Sequence, residues 1–374
     1  MSTKLLICDD SNMARKQLAR SLPEGWDVEI SFATNGVEGI EAIKENKGDV
    51  LLLDLNMPEM DGYQVLEAII AQDLPTLTIV VSGDIQPEAH KRVIGLGALA
   101  FIKKPVNKDK LTEVIMSYGL FTKEEQQGDV VQNISTQDPS IIIKKAPIIE
   151  PDSNDNGQLS SLTDNPSLTT TSNDELTLSS GLRDCYQEIA NVAMGRAGDL
   201  LARLLDVFVK LPIPNVNFIE VSELRMALRD VESNESTSGI CQGFISAGIS
   251  GEALLILNDS SFKDVASLMN YQYNEDEGTE LELLMDLANV LIGACLKGIS
   301  EQLDINFSQG HPVVLGQHRD ISELIANNAN KWKKTLAIEI SYGIENYKIK
   351  CDLLLLFTEQ SMQTLNNKLT YLLE

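Results

Sequence analysis

The sequence predicts two folded domains of different class. Residues 1–121 read as a doubly wound α/β domain with a parallel five-stranded sheet. Residues 178–374 read as an α+β domain, two long helices on an antiparallel sheet with pseudo-twofold repetition. Three observations carry this. Residues 3–118 alternate short apolar runs with helical patterns. Residues 122–177 are rich in Gln, Asn, Ser, Thr and Asp and hold little to bury. Beyond Leu178 one order of helix, strands and helix occurs twice, over about 178–272 and 279–374.

In the first domain KLLIC, DVEISFA, DVLLLDL, LTIVVSG and AFIKK are β-like, and SNMARKQLARSL, NGVEGIEAIKEN, DGYQVLEAIIAQ, PEAHKRVIGLG and NKDKLTEVIMSYGL are helical between them. Such alternation builds a parallel sheet covered on both faces. The polar stretch 122–177 is a flexible linker of roughly 40 Å root-mean-square span, long enough for the flanking domains to meet. Its apolar island IIIKKAPIIE either docks as a strand or does not, and no partner is named by the sequence. Next comes a long helix, about Gly181 to Lys210, stopped by Pro212 and Pro214, its apolar side formed by Tyr186, Ile189, Ala193, Ala197, Leu200, Leu204 and Phe208. NVNFIEVS, the hairpin ICQGFISAG–GEALLILN and the helix SFKDVASLMN complete the first copy. The second has a long helix from Thr279, the pair LAIEISYG and YKIKCDLLLLF, and the helix EQSMQTLNNKLTYLLE.

Thirty Lys and Arg against 55 Asp and Glu give a formal charge of −25, which argues against nucleic acid and anionic membrane as partners. The five cysteines (Cys8, Cys185, Cys241, Cys295, Cys351) are scattered without a CxxC and read as packing residues in a reducing compartment. MSTKLLICDD turns acidic too early for a signal peptide, and no apolar run approaches a membrane span, so a soluble cytoplasmic protein is expected. His90, His311 and His318 form no metal pattern; the last two read as loop residues.

Asp9 and Asp10 follow the first strand, Asp54 ends the third, Ser82 the fourth and Lys104 the fifth, just before Pro105. Strand ends of a doubly wound sheet converge on one crevice. Clustered carboxylates there suit Mg²⁺, and a lysine and a hydroxyl beside them suit an anionic group in phosphoryl transfer. An acid before SNMARK is also able to serve merely as an N-cap, but five polar groups at or beside the ends of four strands exceed that task.

These motifs (Asp9–Asp10, LLLDLNMPEMDG, VVSGD, FIKKP) resemble the response-regulator receiver domain, the CheY-like family, over residues 1–120. The resemblance implies phosphorylation of Asp54 by a histidine kinase. It implies Mg²⁺ held by Asp10, Asp54 and the Asn56 carbonyl, with Asp9 acting through water. It further implies Lys104 and Ser82 on the phosphoryl group, Phe101 as switch aromatic, and a cis Lys104–Pro105 bond.

The first long helix carries a polar stripe, Asp184, Glu188, Asn191 and Gly195, on a face about 60° wide. Glu282, Asp286, Asn289 and Gly293 repeat the spacing in the second, and Pro214 and Pro312 each stand 23 positions past the Asn. Asp184 at a helix start suits the macrodipole, Glu282 completes a capping box with Thr279, and the prolines suit helix ends. Glu188, Asn191 and Asn289 have no such task. Asn mid-helix with Gly four residues on suggests a face shaped for close approach.

This pattern resembles the CheC/CheX/FliY phosphatases over residues 178–374. The resemblance implies a two-component chemotaxis protein whose second domain hydrolyses the aspartyl phosphate of CheY-like receivers, its own or separate. Glu188 would engage the receiver lysine and Asn191 orient the attacking water, with Asp286 and Asn289 as a second site, expected weaker because Asp is one methylene shorter than the family's Glu. A CheD-like partner and a homodimer also follow from resemblance. The alternative is a non-catalytic, phosphorylation-dependent adaptor for receivers or the motility apparatus.

Overall fold

The computed structural model describes residues 2–122, 180–220, 236–272, 277–319 and 334–373. The expected linker beyond residue 122, with its apolar island, lies outside them.

Strands β1 (Thr3–Cys8), β2 (Val28–Ala33), β3 (Val50–Leu53), β4 (Leu77–Ser82) and β5 (Ala100–Lys103) form a parallel sheet in the order β2-β1-β3-β4-β5. Successive residues alternate faces. Leu6 and Cys8 join the apolar layer with Ile40, Ile43 and Leu66, and Leu5 and Ile7 join the opposite layer with Leu18, Leu111 and Ile115. Helices α2 (Gly36–Lys44), α3 (Gly62–Ala71) and α4 (Pro87–Gly95) thus cover one face, α1 (Asn12–Arg20) and α5 (Lys108–Ser117) the other. Helix starts follow local chemistry. Ser11 accepts from Ala14 N, Asn35 from Glu38 N and Asn107 from Lys110 N, while Asp61 and Gln64 form a capping box. The N-cap of α1 is therefore Ser11 and neither aspartate. Strand order reverses between β2 and β3 across β1, opening a crevice at the carboxyl ends of β1 and β3.

The second domain contains α6 (Ser180–Leu205), β6 (Val209–Lys210), β7 (Asn215–Glu220), β8 (Thr237–Ser246), β9 (Ile249–Asn258) and α7 (Phe262–Leu268). The same order returns in α8 (Glu277–Leu303), β10 (Ser308–Gln309), β11 (Val313–Arg319), β12 (Lys334–Ile344), β13 (Lys350–Thr358) and α9 (Met362–Leu373). All pairings in its sheet are antiparallel, and the two copies join along β9 and β13. The short strands cross over: β6 and β7 of the first copy pair with β12 of the second, and β10 and β11 of the second with β8 of the first. Helices α6 and α8 pack closely where a Cβ on Gly298 would stand 2.7 Å from the Ala193 Cα.

Several expectations need correction. The first long helix ends at Leu205, well before Pro212. Asp206 is left-handed (φ 53), and Val207 N donates to the Ala202 carbonyl at 3.1 Å. Asp304 (φ 50) with Ile305 N on Ser300 O at 3.0 Å ends α8 identically. These are Schellman closures, so the prolines do not stop either helix. The apolar face of α6 runs through Ala190, Ala193, Met194, Ala197, Leu201 and Leu205, whereas Leu200 and Leu204 are exposed and Phe208 lies beyond the helix. Helix α8 does pass a length-and-apolarity test for a membrane span, at mean hydropathy 1.5. Its Leu283, Leu287, Leu291, Cys295 and Ile299 are buried in the domain core. His318 is on strand β11, with Nδ1 2.9 Å from Asp259 Oδ2 and Nε2 3.1 Å from Glu280 Oε2. None of the five cysteines forms a disulfide, and Cys241 is partly exposed.

One receiver-side residue joins the apolar core of the second domain. Met13, on α1, is 4% exposed and belongs to the apolar cluster of the second domain together with Cys185, Tyr186 and Ile189. Truncating a buried side chain of this size costs about 2–5 kcal/mol. Met13→Ala is expected to lower stability on that scale, read as a fall in the denaturant midpoint of the full chain. A shift within error would show that this contact is dispensable.

Candidate active site

The predicted pocket residues of the first domain converge. Asp9, Asp10 and Asp54 each place a carboxylate oxygen within 4.8 Å of the others. Arg15 donates to the carbonyls of Asp9 and Asp10 and fixes this turn. Lys104 Nζ lies 2.8 Å from Asp9 Oδ2 and 3.4 Å from Asp54 Oδ1, and the Lys104–Pro105 bond is cis as expected. Ser82, buried at the end of β4, accepts from Asp84 N at 3.1 Å. Phe101 packs edge-on against His90 at 5.6 Å. Among the described residues, neither oxygen of the buried Asp54 carboxylate accepts a hydrogen bond. Orphaned carboxylate oxygens beside two further acids fit a hard divalent cation such as Mg²⁺, which accepts oxygen ligands. The Asn56 side chain takes another direction, toward the second domain.

Helix α6 lies across this pocket, and its polar stripe meets it residue by residue. Asp184 accepts from Asn12 N at 3.0 Å and from Met13 N at 2.8 Å. These are orphan donors at the start of α1, so Asp184 does suit a helix N-terminus, but that of another helix. One turn on, Glu188 Oε1 lies 3.2 Å from Lys104 Nζ. Asn191 Oδ1 accepts from Asn56 Nδ2 at 3.3 Å. At Gly195 a Cβ would overlap the Gly83 carbonyl oxygen, and at Gly83 it would stand 3.2 Å from the Asn191 carbonyl oxygen. Two glycines let the helix and the β4–α4 loop touch backbone to backbone.

Electrostatics follow from burial. Removal from water pushes Asp10 up to about 6, with the Asp9 charge adding, and pushes Glu188 up to about 7 against the pull of Lys104. Asp54 is driven well above the usual carboxylate range by burial, which Lys104 opposes. Burial alone would lower Lys104, but Asp54, Asp9 and Glu188 outweigh it and hold the ammonium charged. Beside these groups a cleft of about 410 Å³ opens between Asp10, Asn56, Glu59, Asn191, Ile213 and Pro214. Pro214 thus lines the mouth of the site, and Pro312 holds the corresponding place before β11.

Among the described residues the second motif has other surroundings. Asp286 accepts from the Tyr271 hydroxyl at 2.8 Å, Asn289 and Glu282 are exposed, and a Cβ at Gly293 would meet nothing within 4 Å. Thr279 lies inside α8, which starts at Glu277, so Thr279 is not the residue that begins the helix.

Residues 5–116 match the family model of the response regulator receiver domain. Over 117 residues the chain is 34% identical to the chemotaxis protein CheY of Treponema pallidum, covering 30% of this chain and 81% of that one. The chain belongs to the response regulator receiver family. A protein-glutamate methylesterase/protein-glutamine glutaminase of Geobacter sulfurreducens is 39% identical over 103 residues, 27% of this chain, and the match spans 28% of that relative's length. The crystal structure of Thermotoga maritima FliY aligns over 52% of this chain and 99% of its own, with a TM-score of 0.37 and 18% identity. The family places the N-terminal domain in two-component and chemotaxis signalling. For the second domain the residues themselves carry the reading.

Sequence reasoning missed several residues that hold the second domain on the receiver. Met13, Gly83 and the Asn56 side chain stand in or beside the quoted motifs. Gln86 and Arg92 lie on α4 and the loop before it, with no periodicity to mark them.

Two outcomes follow. Gly195→Ala improves helix propensity yet blocks the Gly83 contact. It should undock the receiver, read as faster hydrogen exchange at the Asn12 and Met13 amides, while Gly293→Ala should leave exchange unchanged. Docking should also depend on pH in buffer free of divalent cations. Docked Glu188 keeps its proton up to about 7, against 4.5 for an ordinary glutamate. The docked state therefore binds more protons in that window, and docking weakens as pH rises through it. Protection at the same amides that grew with pH would contradict this.

Proposed function

We propose that the second domain hydrolyses an aspartyl phosphate formed at Asp54 of its own receiver. The observation that supports it most is that Glu188 pairs with Lys104 while Asn191 enters beside Asn56, from one face of one helix in the same chain. A phosphorylated aspartate carries a good leaving group and lacks an aligned water. The Asn191 amide both donates and accepts, so it is able to hold a water in line with phosphorus. The water oxygen forms the new bond to phosphorus, the bond to the Asp54 oxygen breaks, Asp54 leaves as carboxylate, and the water proton passes to phosphate or solvent. Glu188 and Lys104 hold each other in register, and Lys104 and the Ser82 hydroxyl lie where phosphoryl oxygens would be met. Mg²⁺ on Asp9, Asp10, Asp54 and the Asn56 carbonyl would neutralise the charge developing on that group.

The same docking regulates charging. The Asp54 side chain is wholly buried, so a phosphodonor such as a histidine kinase reaches it once α6 lifts away. The chain then alternates between an open state that accepts phosphate and a docked state that removes it.

With the full chain charged by acetyl phosphate, Asn191→Ala and Glu188→Ala should each lengthen the phosphate lifetime by about 100-fold, the scale of lost positioning. Asn289→Ala should change it less than about twofold, and the wild-type decay should not vary with protein concentration, as befits an intramolecular step. Equal losses at Asn191 and Asn289, or none at either, would overturn this assignment.

A further inference from the structure

Glu188, Asn191 and Asp184 meet groups that phosphoryl chemistry or any helix start supplies, so they do not tell one receiver from another. A second set of contacts, remote from Asp54, does. Gln86, just before α4, is 1% exposed and sets its amide edge-on to Val209 of β6. Its Nε2 donates to the Val209 carbonyl at 2.8 Å, and its Oε1 accepts from Val209 N at 2.9 Å. Asp84 Oδ1 accepts from the same Nε2 at 3.0 Å and fixes which way the amide faces. On α4, the Arg92 guanidinium stacks 3.9 Å over the Phe208 ring and forks onto Glu345 at 3.1 and 2.6 Å. Phe208, Val209 and Glu345 form one rigid platform. Val209 pairs with Ile344 in the sheet, and Glu345 N donates to the Phe208 carbonyl at 3.0 Å.

We infer that Gln86 and Arg92 are specificity-determining residues, through which the phosphatase domain takes its own receiver in preference to other receivers with the same acidic pocket. The inference rests on the phosphatase reading above. A primary amide answers a backbone N–H and a backbone carbonyl together; a side chain lacking either function leaves a buried group unpaired. The planar fork of arginine, stacked on a ring and paired to a carboxylate, is not reproduced by lysine. The internal repeat supports this independently. Ser308 pairs with Ile245 as Lys210 pairs with Gly343, so Phe208 corresponds to Asn306 and Glu345 to Ala247. The second copy offers neither ring nor carboxylate. The platform therefore belongs to the first site and is no by-product of the repeated fold.

Charge reversal in the full chain tests it. Arg92→Glu and Glu345→Arg should each slow decay of the Asp54 phosphate by about tenfold, and the double variant should return to within about threefold of wild type. In a second assay the chain carries Asp54→Asn, so it cannot be charged itself, and is mixed with a phosphorylated free CheY-type receiver. Adding Arg92→Glu should raise turnover of that free receiver, because its own receiver no longer holds the first site. Slower decay in cis together with faster turnover in trans is a crossover that a damaged fold does not give. Single reversals that leave both rates unchanged, or lower both, would overturn the inference. The Asn191→Ala lifetime, measured alongside, tells whether the phosphatase reading stands apart from it.

Discussion

One buried ammonium answers carboxylates from two domains. Lys104 holds Asp9 and Asp54 on its own side and Glu188 on the other, all nearly without solvent. Breaking a buried pair by removing one partner commonly costs about 3–5 kcal/mol, because an uncompensated charge is left behind. That constraint fixes where α6 lies. With Glu188 set on Lys104, helical spacing carries Asp184 back to the start of α1 and Asn191 and Gly195 forward to Asn56 and Gly83. The middle of α6 consequently has no solvent face: residues 188–195 are all buried, one side in the sheet domain and the other against the receiver. Such a helix reads ambiguously by periodicity, since its polar groups are interior ones.

The two copies of the motif show what that constraint does when it is absent. On α8, among the described residues, Asp286 accepts from the Tyr271 hydroxyl, Asn289 is exposed, and a Cβ at Gly293 would meet nothing within 4 Å. Identical spacing has been kept while the surroundings differ. A pattern of residue types is therefore a necessary part of the site and not a sufficient one; the matching surface supplies the rest.

Much of this was legible from residues alone. The five parallel strands and their helices followed from alternation, and the acids, Ser82 and Lys104 converged because strand ends must. The odd glycine in the polar stripe announced a close approach, and Gly83 is what approaches. What stayed hidden depends on partners distant in sequence. Asp184 looked like a partner for its own helix's macrodipole because no local pattern points from residue 184 to residues 12 and 13. Leu200 and Leu204 were placed inside by helical period, yet the helix ends through a left-handed Asp206 and leaves them uncovered. The apolar length of α8 carries no mark that a sheet, and not lipid, covers it. The Gln86–Val209 pair uses backbone atoms, which a sequence does not spell.

The crossing of the short strands has a consequence for how this half of the chain came to be and what it tolerates. Each repeat is finished at its edge by the other's β6–β7 or β10–β11, as two subunits are in a strand-exchanged dimer. Neither half is a closed object, so fusion in one polypeptide secures a fixed one-to-one stoichiometry of two surfaces that are free to diverge. Asn306 and Ala247, standing where Phe208 and Glu345 stand in the other half, are the mark of that freedom: a scaffold symmetrical in its backbone and lopsided in its chemistry.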